Sequence, residues 1–158
     1  TGIPLFGWAK PVETNPLLWR DKTKANIWVS AAGPISNFIL LSIAFVALEV
    51  ILASGIAVKT NNLFSMATPL PGQPAFMEPL TKLLSIMLWL NLALGIFNLI
   101  PIPPLDGSHV LESILPYQMA EAYAQIRPYG FLLLIGLLYL GVFGTIFWPL
   151  INFIHSLL

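Results

Sequence analysis

From Leu83 to Leu105 no side chain carries a formal charge, and the run closes on Pro101, Pro103 and Pro104, followed at once by Asp106 and Gly107. A helix needs roughly 20 apolar residues to cross a bilayer, so this run constrains the chain before anything else does. It predicts a helix in lipid that unwinds at the prolines, which lack backbone N–H groups and bias the residues before them away from helix. Unwound backbone at membrane depth survives only against protein or a water-filled cavity. A carboxylate beside such a break is a candidate functional group, because leaving it in lipid costs about 2.5–3.5 kcal/mol on insertion scales. Asp106 is also a residue type that caps a helix, here one starting at Gly107. The two roles are compatible.

Composition agrees with a membrane setting. The 158 residues are 57% hydrophobic and 9% charged, where a soluble domain carries roughly 25% charged residues. Net charge is zero, which argues against a nucleic-acid partner. Without cysteine, the chain has no disulfide, thiolate zinc site or thiol nucleophile. The first residues lack the basic-then-apolar pattern of a signal peptide.

The expected architecture is an all-α membrane protein in one embedded domain. It has three transmembrane helices over 25–54, 80–100 and 128–156, with short helices over 107–125 after the proline break. Residues 1–24, with Trp8, Trp19 and four basic side chains, read as a surface loop or hairpin at the interface. In the first span Ser30, Ala31, Ala32, Gly33 and Ser36 invite close packing of a neighbouring helix, and Pro34 is expected to kink the helix or mark its first turn. Asn37 then serves either as an interhelical polar contact or as a partner for a freed backbone group. Glu49 is expected to snorkel to the interface. The stretch from Gly55 to Pro79 reads as a loop that lies on the membrane or covers something. Asn91 and Asn98 share one side of the second span and suggest a polar seam against protein. Gly136, Gly141 and Gly144 suggest a packing face on the third. Basic residues concentrate before the first span, which places the N-terminal segment and the 101–127 region on the cytoplasmic side.

Several chemistries fail on the residues. Ser108 and His109 are adjacent, so on a helix they diverge by about 100° and cannot form a nucleophile–base pair with each other. An aspartyl dyad needs two carboxylates, whereas Asp106 stands alone at the break. A catalytic zinc site needs three protein ligands, and Asp106 with His109 supplies two. His109 is open between a bond to the aspartate and a plain helix-surface position.

Two motifs in this order resemble the site-2 protease family of intramembrane zinc metalloproteases: Gly33–Pro34–Ile35–Ser36–Asn37, then Asn98–Leu99–Ile100–Pro101–Ile102–Pro103–Pro104–Leu105–Asp106–Gly107. The segment Phe6–Gly7–Trp8–Ala9–Lys10–Pro11 is similar to the one that precedes the Gly-Pro helix in compact bacterial and archaeal members. The resemblance implies an enzyme of the bacterial or archaeal cell membrane that hydrolyses peptide bonds of transmembrane protein substrates with one zinc ion. It implies that Asp106 is the third zinc ligand and that Asn98 contacts substrate backbone or the developing oxyanion. Gly33, Pro34, Asn37, Pro101, Pro103, Pro104 and Gly107 would shape the site. The family's H-E-x-x-H, which supplies two ligands and the general base, has no counterpart here. In the family that helix precedes the Phe-Gly-Trp segment, so it is expected upstream of Thr1, and this chain alone is expected to be inactive. The rivals are a catalytically inactive membrane scaffold that binds partner helices and, more distantly, a transporter element. Oligomeric state and substrate identity are not legible.

Overall fold

A computed structural model describes residues 21–158. The surface segment expected over 1–24 falls almost entirely outside the described residues. Helix α1 spans Lys22–Ala53; Asp21 caps its N-terminus, its carboxylate accepting from the Lys24 backbone N–H at 3.1 Å. The helix runs through Pro34 without ending. A proline inside a membrane helix is tolerated where neighbours re-satisfy or cover the freed backbone, and Pro34 is buried. Ser36 and Ser42 donate to carbonyls one turn back, as serines in helices do.

The chain then turns at Gly55, whose φ of 72° favours glycine. It forms a two-stranded antiparallel hairpin, β1 Ala57–Asn62 and β2 Ser65–Pro69, with an irregularity between Lys59 and Asn62. The stretch expected as a loop that lies on the membrane or covers something is thus a hairpin, and β2 covers part of the helix that follows. The strands carry little intrinsic β signal, and the packing of β2 on the next helix holds them. Met66 and Ala67 are fully buried, and the Met66 N–H donates to Ser85 Oγ at 2.9 Å.

Helix α2, Met77–Leu99, runs antiparallel to α1 and stops at Ile100, whose backbone is extended. After the proline break come α3 (Asp106–Ile114), α4 (Tyr117–Ala124), a 3-10 turn over Arg127–Tyr129, α5 (Gly130–Tyr139) and α6 (Val142–Leu157). Among the described residues two helices, α1 and α2, are each long and apolar enough to cross a membrane. The last part of the chain makes a third crossing only as a pair bent by 59°. The third span expected over 128–156 is therefore a bent one, interrupted at Gly141, where φ is 72°. Among the described residues the glycines there do not form a packing face. A Cβ on Gly136 or Gly141 would meet nothing within 4 Å, and one on Gly144 would meet only Trp148 of its own helix.

The core lies between α1, α2, the hairpin and α6, around Ala44, Leu48, Met66, Leu88, Leu92, Phe147 and Ile151. Trp89 bridges the hairpin to α6 through Phe64 at 5.3 Å and Phe147 at 6.3 Å. His155 hydrogen-bonds the Thr60 carbonyl at 2.8 Å and ties the end of α6 to β1. Glu49, expected to snorkel to the interface, is half-buried, and its Oε1 is buried without a partner among the described residues. The hairpin thus closes one end of the bundle, and the proline break closes the other.

Candidate functional site

The break is built from the backbone groups that prolines leave available. The Ile100 N–H still donates to Phe97, but beyond it the bonds are turn-like, Ile102 N–H to the Ile100 carbonyl at 2.8 Å and Leu105 N–H to Ile102 at 3.0 Å. Pro103 and Leu105 point inward and are buried, while Pro101 and Pro104 are exposed. The Pro103–Pro104 peptide is cis.

Asp106 is the first residue of α3, with Leu105 at the cap position and no side-chain capping bond. The capping role expected of Asp106 is therefore not what its carboxylate does. Ser108 instead turns back onto the Leu105 carbonyl, through its N–H at 3.0 Å and its hydroxyl at 2.7 Å. The Asp106 carboxyl is half-buried and has no hydrogen-bond partner among the described residues. Burial pushes its pKa above the usual carboxylate value, and the nearby His109 opposes this only in part. Such a group is short of positive charge.

The two sequence motifs meet here. A Cβ placed on Gly33 would lie 2.5 Å from Asp106 Oδ2, so α1 leaves at this point the room that the carboxylate occupies. Gly107 plays the matching role toward α2. A Cβ there would strike the Leu99 and Ile100 carbonyls, so α3 can start this close to the end of α2 only with glycine. Asn98, next to Leu99, is half-buried at the same end of α2, as is Asn37 on α1. Asn91 is buried, yet its amide donates to Met87 of its own helix at 2.7 Å; the seam expected from Asn91 and Asn98 is thus intrahelical at Asn91.

Three further contacts have no signal in the sequence. Tyr123 Oη donates to the Pro101 carbonyl at 2.8 Å. Arg127 pairs with Glu112 at 2.5 Å. Asn26 Nδ2 donates to Ser113 Oγ at 2.7 Å, joining α1 to α3. Each partner lies on a different element, and only the fold brings them together.

Two cavities flank this end. A polar one of about 520 Å³ is lined by Lys22, Asn26, His109, Glu112, Ser113 and Arg127, and an apolar one of about 720 Å³ runs between α2 and the bent α5–α6 pair and reaches Ile100 and Pro101. Among the described residues no group of three or more His, Cys, Asp or Glu stands ready to hold a metal ion. Asp106 by itself fits one position of such a site: a desolvated, unpartnered carboxylate beside a glycine that leaves it space.

These features define an integral membrane protein of packed helices with a lone acid held at a proline break near one end of the bundle. The chain belongs to Peptidase family M50, the site-2 type of zinc metalloprotease, which it matches over residues 3–138. It is 33% identical over 147 residues to a Bacillus subtilis (strain 168) protein named "Putative zinc metalloprotease YwhC", covering 93% of this chain and 61% of that one. It is 28% identical over 117 residues to "Putative zinc metalloprotease CPE1693" of Clostridium perfringens (strain 13 / Type A), covering 71% of this chain and 35% of that one. The chain thus spans less than two thirds of the length of either relative. No solved structure matches it significantly.

Proposed function

We propose that this chain is the C-terminal portion of an intramembrane zinc metalloprotease that hydrolyses peptide bonds of transmembrane protein substrates. Asp106 supplies one zinc ligand, and the residues that complete the set lie outside the chain, in the H-E-x-x-H helix the family carries. Zinc, when bound, supplies Lewis-acid activation of water for attack on the peptide bond. The observation that carries the reading is the meeting of Gly33 with Asp106 Oδ2, where an unpartnered, desolvated carboxylate is given space at the open face of α1. That face, with Val29 and Leu40 exposed on the same side of the helix as Gly33, supports docking of one more helix next to the acid.

In this reading the chain's own residues bind and orient. Gly33 and Gly107 let α1, α2 and α3 approach closely enough to present the carboxylate. Pro34, Pro101, Pro103 and Pro104 keep the backbone around it in place, with Asn37 one turn from Gly33. Asn98 donates from its amide to the substrate backbone or to the developing oxyanion, a role in which one donor contributes about 3–4 kcal/mol. The Asp106 end faces the cytoplasm of a bacterial or archaeal cell, a placement supported by Lys22, Lys24 and Arg127 gathered there.

The test is Asp106→Asn in the full-length protein. Zinc content by elemental analysis falls well below one equivalent and cleavage of a transmembrane substrate is lost; unchanged zinc and turnover would refute the ligand role. The rival reading, a non-catalytic scaffold for partner helices, draws on the missing three-ligand group among the described residues. Full-length protein that holds no zinc and cleaves nothing would favour it.

A further inference from the structure

The proline break is held from outside. Of its carbonyls, Pro101 has no backbone donor within reach along the chain: residues 103 and 104 are prolines, and the Leu105 N–H is spent on Ile102. Tyr123 fills that gap, its phenol donating to the Pro101 carbonyl at 2.8 Å. The same hydroxyl lies beside Ser108, which is 2% exposed and sits two residues after Asp106. A second point of support is Gly130, which is packed directly on the Pro103 carbonyl with no room for a Cβ. Between these two points the Arg127–Glu112 pair fastens the segment back onto α3. The stretch from Tyr123 to Gly130 therefore forms a strap across residues 101–103, anchored on the helix that begins with Asp106.

We propose that Tyr123 is a positioning residue for the Asp106 end of the site: its hydroxyl sets where the proline break lies, and through the break where the Asp106 carboxylate points. Its role in metal retention rests on the zinc-ligand reading of Asp106; its role in holding the break does not. Pro101 is exposed, so water replaces the phenol when it is removed and the fold survives. Water satisfies the carbonyl without fixing its place. The consequence is a loss of position and not of folding.

The experiment compares full-length wild type, Tyr123→Phe, Asp106→Asn and a control, Tyr139→Phe, at a residue 90% exposed. Hydrogen exchange is read on metal-free protein, zinc affinity by chelator competition, and kcat and KM on a transmembrane substrate. Tyr123→Phe speeds exchange across residues 99–106 and leaves α1, α2 and the melting temperature at wild-type values. It weakens zinc binding by about 10-fold or more, the scale seen when a group orienting a metal ligand is lost. It lowers kcat with KM unchanged, and Tyr139→Phe does none of this. Unchanged exchange over 99–106 in Tyr123→Phe overturns the proposal whatever the metal does. Faster exchange with wild-type zinc affinity, while Asp106→Asn loses its zinc, overturns the link to the site. Retention of zinc by Asp106→Asn overturns the ligand reading instead, and the exchange result still decides whether Tyr123 holds the break.

Discussion

At the residue scale, Gly33 and Asp106 meet across two helices, and each makes a separable prediction. Gly33→Ala puts a methyl group 2.5 Å from Asp106 Oδ2. The atom it meets is the free end of a short side chain, which swings aside cheaply, and alanine favours helix over glycine by about 1 kcal/mol. The variant should therefore melt at or above wild type, and under the proposed ligand role of Asp106 the full-length protein should lose about 100-fold in turnover, the scale of a misplacement near 1 Å in a site. Thermal melts and substrate cleavage check the two halves. For Asp106, burial raises the folded-state pKa above the ordinary carboxylate value. Its contribution to stability is complete below that value and is lost as pH rises through the folded pKa. Metal-free wild type should lose stability across that rise relative to Asp106→Asn, which has no charge to desolvate. Melts of the pair in detergent from pH 3 to 7 would show their midpoints separating upward; parallel curves would remove the desolvated acid from the picture.

At the element scale, helices α1 and α2 were legible because each holds a long apolar run, uncharged from Ala25 to Leu48 in one and from Leu83 to Leu99 in the other, and such runs have one stable form in lipid. Their observed limits, Lys22–Ala53 and Met77–Leu99, fall within a few residues of those expected. The hairpin was not legible, because Lys59, Thr60, Asn61 and Asn62 read as loop and only α2 beneath β2 makes a sheet of them. The bend in the third span was not legible for another reason. Its composition is apolar throughout, and composition says nothing about a bend that one glycine permits. Gly141 and Gly136 test this directly, since neither Cβ would touch a neighbour. Gly141→Ala should cost about 1–2 kcal/mol, the penalty for an L-residue in the left-handed region. Gly136→Ala, inside α5, should be neutral or stabilising by up to about 1 kcal/mol. Unfolding in mixed micelles distinguishes them, and equal effects would mean that the bend does not depend on Gly141.

At the scale of the whole molecule the bundle has two ends with different tasks. The hairpin, Trp89, Phe147 and the His155–Thr60 bond close one end; the break, Asp106 and the Tyr123 strap occupy the other. His155→Leu removes the donor to the Thr60 carbonyl, which should cost about 1 kcal/mol. Hydrogen exchange should rise in the hairpin and the last turn of α6 and stay unchanged over residues 99–109. Spread of the effect to Asp106 would show the ends to be coupled through α6. What the sequence determined by itself was the membrane setting, the helical class, the point where the second span fails and the acid that follows it. Those depend on hydropathy and on proline's missing N–H, properties a residue carries wherever it stands. Only the tertiary structure decided that Gly33 faces Asp106, that Tyr123 serves Pro101, that one carboxylate oxygen of Glu49 is buried and that the last span bends. Each of these is a meeting of groups distant along the chain, and packing selects such meetings among many that the same residues permit.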